Sequence, residues 1–599
     1  MHLSTRLFSP WRYTLAFLLI FAFAISAVSA SPQRLFRELR AFPAAEAHQG
    51  VAIDAEHVYA ITNDAIGKYD KFTGEPVNTW KAPEGSHLRH LNGGTVVDGK
   101  LYCGHSNWPE TPYENTIEIW DAATLTHLES RPAGMTDKAL NWVDFHDGVW
   151  WAVYATYGDV ENIRRTTLVK LDDNGQPAAS WTFPEAVIQR FLPATNSGGS
   201  WGPNGLLYVT GHDHPETYAL RLPPSGTVLE LVDTLPAASY GQGIAWDRSD
   251  IGILFGIRRK TSEIVVQRLS HEAEYAPLKE SVTWQRESDT AVLPPMPGST
   301  FDSTRCMNPW ALQVGDEYHL YYGGGDDKGL HQICKATAPV SNPRDWTRHG
   351  PVVSPGPKGA FDGRWCVLPH VVRFAPDQWH LYYTGNSGIG EGLSAFPGIG
   401  LATSRDGITW EKHGTEPVLA PSGQHGDPDA IGIAGGSVME ATLPDGTTEW
   451  RYYYTGCPTI GAPLPLNQQK VICLAVSQDG VTWTKKGAVM YRDPNRGYED
   501  IAVAGPVVHQ TPSGGFRMWY SAIGTRWGYY AIAYAESDDG YHWRRGEKVD
   551  DNLQLTPTGT GWEKQMVEYP SVIVEGNHLR LFYCGNGYGS SGIGTAVSK

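Results

Sequence analysis

From about Tyr318 onward, short runs of alternating aromatic and smaller side chains recur: YHLYYGG from Tyr318, WHLYYTG from Trp379, WRYYYTG from Trp450, FRMWYSA from Phe516 and LRLFYCG from Leu579. Alternation with this aromatic content predicts half-buried β-strands. A further strand follows and ends in a turn and a tryptophan, as in IGLATSRDGITW (Ile399 to Trp410), ICLAVSQDGVTW (Ile472 to Trp483) and IAYAESDDGYHW (Ile532 to Trp543). The Asp-Gly pair suits a hairpin turn, because glycine tolerates the backbone angles such a turn demands.

Ahead of each aromatic strand lies a second signature. Phe301-Asp302, Phe361-Asp362, Tyr498-Glu499 and Trp562-Glu563 pair an aromatic with an acid, and a proline follows seven residues after the acid, at Pro309, Pro369, Pro506 and Pro570. Asp429 heads a fifth copy, with Gly436 in the proline position. Repeats of roughly 60 to 70 residues with four strands each predict propeller blades. The fifth unit stops at IGTAVSK without an outer strand, and SVTWQRES from Ser281 has the character of the missing one. The predicted fold is all-β, with two β-propellers in tandem and the C-terminal one, residues 280–599, five-bladed.

Residues 31–275 show a looser repeat of roughly 45 residues, as in GVAIDAEHVYAIT, GTVVDGKLYCGH and WVDFHDGVWWAVY, which predicts a first propeller of five or six blades. Its registers drift, and no family motif stands out beyond a general likeness to quinoprotein-like and lactonase-like propellers. His48, Asn92 and Asn141 fall at equivalent inner-strand starts, a set that suits either a ligand or hydrogen bonds between blades.

The blade signatures of residues 280–599 resemble those of the five-bladed propeller glycoside hydrolases, the arabinanase, xylosidase and invertase-like group. That resemblance implies a pair of carboxyl groups near the inner-strand starts, one protonated and one ionised across the glycosidic bond. The chain departs from the pattern: the residues before the proline position are Asn308, Leu368, Gly435, Gly505 and Tyr569, and Glu568-Tyr569-Pro570 alone keeps the Glu-x-Pro form. Glu568, Asp427 and Asp500 are therefore the candidate catalytic carboxylates. Asn308, Arg305, Arg364, Trp365 and His370 are the candidate substrate-binding residues. The acid repeated in every blade is expected to serve the blade itself, since a substrate site is asymmetric.

Composition narrows the partners. A formal charge of −16 without clustered Lys or Arg argues against nucleic acid, which is bound through phosphate neutralisation. A neutral oligo- or polysaccharide fits better, and an acidic one needs a local basic patch. Residues 1–30 carry Arg6 and Arg12, an apolar stretch from Leu15 to Ile25 and small residues up to Ala30, the form of a secretory signal peptide. A secreted or periplasmic protein without membrane insertion is expected. The 7 cysteines form no C-x-x-C pair, and no metal or cofactor is expected. His212-Asp213-His214 lacks the further spaced ligands of a metal site.

The leading expectation is thus a secreted glycosidase acting through carboxylates in the C-terminal funnel. A lyase or cyclase-type activity in the first propeller, with His48 as base, and a sugar-binding propeller without catalysis stay open as alternatives.

Overall fold

In the computed structural model, which describes residues 31–599 except Asp173, Ser281, Glu391 and 459–468, each aromatic segment forms the second strand of an antiparallel sheet. The signal-peptide reading lies outside the described residues. The inner strands of the second ring are Arg305–Val314, Trp365–Ala375, Gly432–Thr442, Ala502–Gln510 and Glu568–Glu575. Each packs against the next and the last against the first, which closes a five-bladed ring. The last blade takes Trp284–Arg286 as its outer strand, antiparallel to Ile593–Ser598.

Two tyrosine contacts explain the Tyr-Tyr pair in the aromatic strands. Neighbouring strand residues point to opposite faces, so the two hydroxyls do different jobs. The first binds the next blade at the carbonyl of its Asp-Gly turn: Tyr321 to Gly407 (2.7 Å), Tyr382 to Gly480 (2.6 Å) and Tyr453 to Gly540 (3.0 Å). The last two blades have Trp519 and Phe582 instead, and no Asp-Gly turn follows to receive a hydroxyl.

The second tyrosine reaches the repeated acid of its own blade. Asp302, Asp362, Asp429, Glu499 and Glu563 accept from Tyr322, Tyr383, Tyr454, Tyr520 and Tyr583 at 2.6–2.9 Å. A cation at or beside the fourth strand completes each set: Arg348, Lys412, Lys485, Arg545 and Arg286. Each acid is buried, and a buried carboxylate is tolerable only when paired and hydrogen-bonded. The repeated acid is thus a blade-internal fastener. Cys306 and Cys366 are buried free thiols, each directed at its blade's acid at 3.8 Å, and all 7 cysteines are free.

The first ring is also five-bladed. Its inner strands are Gly50–Ile53, Leu91–Val97, Ala139–His146, Gly198–Trp201 and Ala245–Trp246, again packed in a closed cycle. Arg34–Pro43 closes it by pairing with Glu263–His271. The rings share one apolar cluster, in which Phe36, Tyr208 and Trp246 meet Tyr452, Tyr454 and Tyr491. Beside it, Gln469 donates to Asp250 at 2.5 Å and accepts from the backbone of Ile251, and Arg492 also grips Asp250. His48, Asn92 and Asn141 are all hydrogen-bonded within the first ring: His48 meets Ser262, Asn92 donates to backbone carbonyls, and Asn141 donates to Asn196 while accepting from Tyr157.

Candidate active site in the second ring

Every inner strand of the second ring breaks register at an equivalent place, between Met307 and Trp310, Val367 and His370, Ala434 and Ser437, Ala504 and Val507, and Glu568 and Ser571. The residue before the proline position occupies this bulge. At Asn308, Leu368, Gly505 and Tyr569 it is left-handed, with φ between 51° and 55°. A bulge re-aims side chains, and these residues line the central channel together with the prolines. Hydroxyl or thiol groups of the preceding blade hold the bulge in place: Thr384 accepts from the Gly435 N–H, Thr455 from Gly505, Ser521 from Tyr569 and Cys584 from Asn308. At the strand-start end of the channel, Met307, Val367, Leu368, Trp365, Phe396 and Tyr569 form an apolar floor.

Glu568 sits at this end. It is fully buried, and among the described residues neither carboxylate oxygen has a hydrogen-bond partner. Burial pushes its carboxyl well above the usual range, against the opposing charges of Lys470 and Arg305. Burial therefore favours its neutral, protonated form. Lys470 donates to the Tyr530 hydroxyl at 3.1 Å. Burial lowers the Lys470 pKa, but Tyr530 and its other neighbours raise it further, so the ammonium keeps its charge. Arg305 donates to the carbonyls of Gly587 and Tyr588. These belong to a short left-handed run, Gly587, Tyr588 and Gly589, with φ of 63°, 54° and 76°. A left-handed tyrosine stores of order 1–3 kcal/mol of strain.

Around the rim, Trp365 stacks on His331 with 4.4 Å between ring centres and carries the Arg364 guanidinium over its face at 4.2 Å. Asn308, Arg305, Arg364 and Trp365 thus all lie at the strand-start end of the ring. His370 does not. It is fully buried between blades, where its Nε2 meets the Val438 backbone, 2.9 Å from the carbonyl oxygen and 3.0 Å from the nitrogen, and its ring packs on Trp310 at 3.8 Å. Burial depresses its pKa to about 3. The expectation that His370 binds substrate is corrected: its position one residue past the proline points it into the interblade core.

The other two carboxylates are not brought to Glu568. Asp500 accepts from the backbone and hydroxyl of Thr525 at 2.7 and 2.5 Å and so fastens a loop. Asp427 lies where the second ring meets the first. Burial raises its pKa, and its other influences are Ser422, Asp429, Asn204 and Lys485. The expectation of a carboxylate pair made of Glu568 with Asp427 or Asp500 is corrected on this geometry. Lys470, Tyr530 and Tyr588 escaped the sequence reading. First and third strands of a blade run the same way, so the residues opening Val471–Ser477 and Tyr530–Ser537 share the face of the inner-strand starts. Among the described residues no group of His, Cys, Asp and Glu is arranged to hold a metal ion, and no helix is long and apolar enough to cross a membrane.

The uncharacterized protein Rv1502 of Mycobacterium tuberculosis strain H37Rv is 30% identical to this chain over 295 residues, which cover 47% of the chain and 88% of the relative. The chain belongs to this protein's family. The uncharacterized protein MT1551 of strain CDC 1551 matches to the same extent. Residues 364–581 match the family model of the glycosyl hydrolases family 32 N-terminal domain. The second ring is accordingly similar to a glycoside hydrolase propeller, and this match supports a glycosidase. Among solved structures, a glycosyl hydrolase from Bacteroides ovatus is 17% identical with a TM-score of 0.40, covering 54% of this chain and 96% of its own. A thermostable family-43 glycoside hydrolase is 18% identical with a TM-score of 0.37, covering 49% and 88%.

Proposed function

We propose that the protein is a secreted or periplasmic glycoside hydrolase with residues 280–599 as catalytic domain, residues 31–275 as a docking ring, and Glu568 as the general acid. One observation carries the reading: Glu568 is a buried carboxyl without a hydrogen-bond partner among the described residues, at the strand-start end of the channel, where burial favours its protonated form. A protonated carboxyl is what a departing glycosidic oxygen requires. In this role the Glu568 proton passes to the leaving oxygen as the C–O bond breaks, water forms the new C–O bond at the anomeric carbon and gives up a proton, and Glu568 is reprotonated for the next turnover. Substrate reaches the acid by displacing the Tyr588 segment, whose side chain is 43% exposed and whose backbone strain favours movement.

The experiment is a turnover screen of the mature protein on aryl glycosides and polysaccharides with reducing-end and unsaturated-product detection. The reading expects reducing sugar without unsaturation, and its loss on polysaccharide, whose leaving oxygen is basic, in Glu568→Gln with the fold retained by circular dichroism. A Glu568→Gln variant that still cleaves polysaccharide at the wild-type rate removes this residue from the mechanism, and unsaturated product moves the chemistry to elimination.

A further inference from the structure

In a chain of net charge −16, most half-buried and buried cations of the second ring reach a carboxylate, as the fasteners Arg348, Lys412, Lys485, Arg545 and Arg286 do. The candidate site is different. Lys470 reaches a phenol, Arg305 reaches two backbone carbonyls, and Arg364 lies over an indole face. None of the three has a carboxylate at ion-pair distance among the described residues. They form one group: Glu568 feels the charges of Lys470 and Arg305, and His331 those of Arg305 and Arg364. Two acids stand nearby. Burial favours the neutral form of Glu568, and Asp326 accepts from the backbone N–H groups of Lys328 and Leu330, both at 2.9 Å, rather than from any of the three cations.

We infer that the sugar unit bound in this funnel carries a negative charge, as a carboxylate or as a sulfate or phosphate ester, and that Arg305, Lys470 and Arg364 recognise it. The inference rests on the glycosidase reading and names its substrate class. Arg305 and Lys470, half-buried beside an apolar floor without an ion-paired carboxylate, gain from an arriving anion, and the exposed Arg364 adds its charge at the rim. A guanidinium binds an oxyanion more strongly than a neutral carbonyl. An anionic sugar therefore competes with the Gly587 and Tyr588 carbonyls for Arg305 and releases the segment beside Glu568. The local basic patch that an acidic polysaccharide needs is present, although the chain as a whole is acidic.

The test uses 4-nitrophenyl hexosides in matched sets that differ only at C6: hydroxymethyl, carboxylate, 6-sulfate and 6-phosphate. One anionic set is expected to exceed the neutral one in kcat/KM by roughly 10- to 100-fold, the worth of one or two charged hydrogen bonds. The advantage shrinks with added salt and is erased by Arg305→Gln or Lys470→Gln. Which set wins identifies the anion. Arg364→Gln, at an exposed position, is expected to reduce the advantage even if the other two variants fail to fold. Equal or better turnover of the neutral set overturns the inference while leaving the glycosidase reading intact. If no set is cleaved, the glycosidase reading fails and calorimetry with the free hexuronate, hexose 6-sulfate and hexose 6-phosphate decides the inference. Binding that Arg364→Gln weakens supports it, and silence with all three overturns it.

Discussion

The hydroxyl of Tyr382 donates to the carbonyl oxygen of Gly480 at 2.6 Å, across the boundary between the second and third blades. Both partners are buried. Tyr382→Phe is predicted to lower unfolding free energy by about 1–3 kcal/mol, the cost of an unsatisfied buried carbonyl. Denaturant titration checks this, and a change below about 0.5 kcal/mol would show that the hydroxyl does not fasten the blades.

A second prediction concerns acid lability. Burial depresses His370 to about 3 and His90, His105, His331, His380 and His509 to about 4. Below the unfolded-state pKa of about 6.5 the unfolded chain takes up protons that the folded chain refuses. Stability is therefore full above this value and falls as pH drops from about 6.5 toward 4, by about 1.4 kcal/mol per histidine and pH unit. His370→Gln is expected to flatten that slope in a melting series, and an unchanged slope would contradict the assignment.

Asp500 makes a third case. Its carboxylate fastens Thr525 and is not among the charges that act on Glu568. Asp500→Ala is expected to keep turnover within about threefold of wild type while costing about 1–2 kcal/mol in stability. A collapse of kcat at full folding would restore Asp500 to the chemistry.

The second ring was legible in the sequence because its fasteners are periodic. The acid, the tyrosine and the Asp-Gly turn recur at fixed offsets, since each blade needs the same buried hydrogen bonds. The inner-strand bulge was not legible, because a left-handed residue looks ordinary when it is Leu368 or Tyr569. Without the bulge, His370 reads as channel-facing although it packs between blades. The site was half legible. Glu568 and Arg305 stand out by breaking the repeat, whereas Lys470 and Tyr530 join them only because third strands start on the same face as inner strands. The first ring drifts in register because no fastener of that kind repeats in it, yet its blades close in the same way.

The most direct test of the account is the dependence of Glu568→Gln turnover on the leaving group. A lost general acid matters most when the departing oxygen is basic and least when it is a good leaving group. The account predicts a loss of roughly 100-fold or more on alkyl or sugar leaving groups, with near-normal rates on 2,4-dinitrophenyl glycosides. A uniform loss across all leaving groups, or none, would contradict the assignment of Glu568 as the acid.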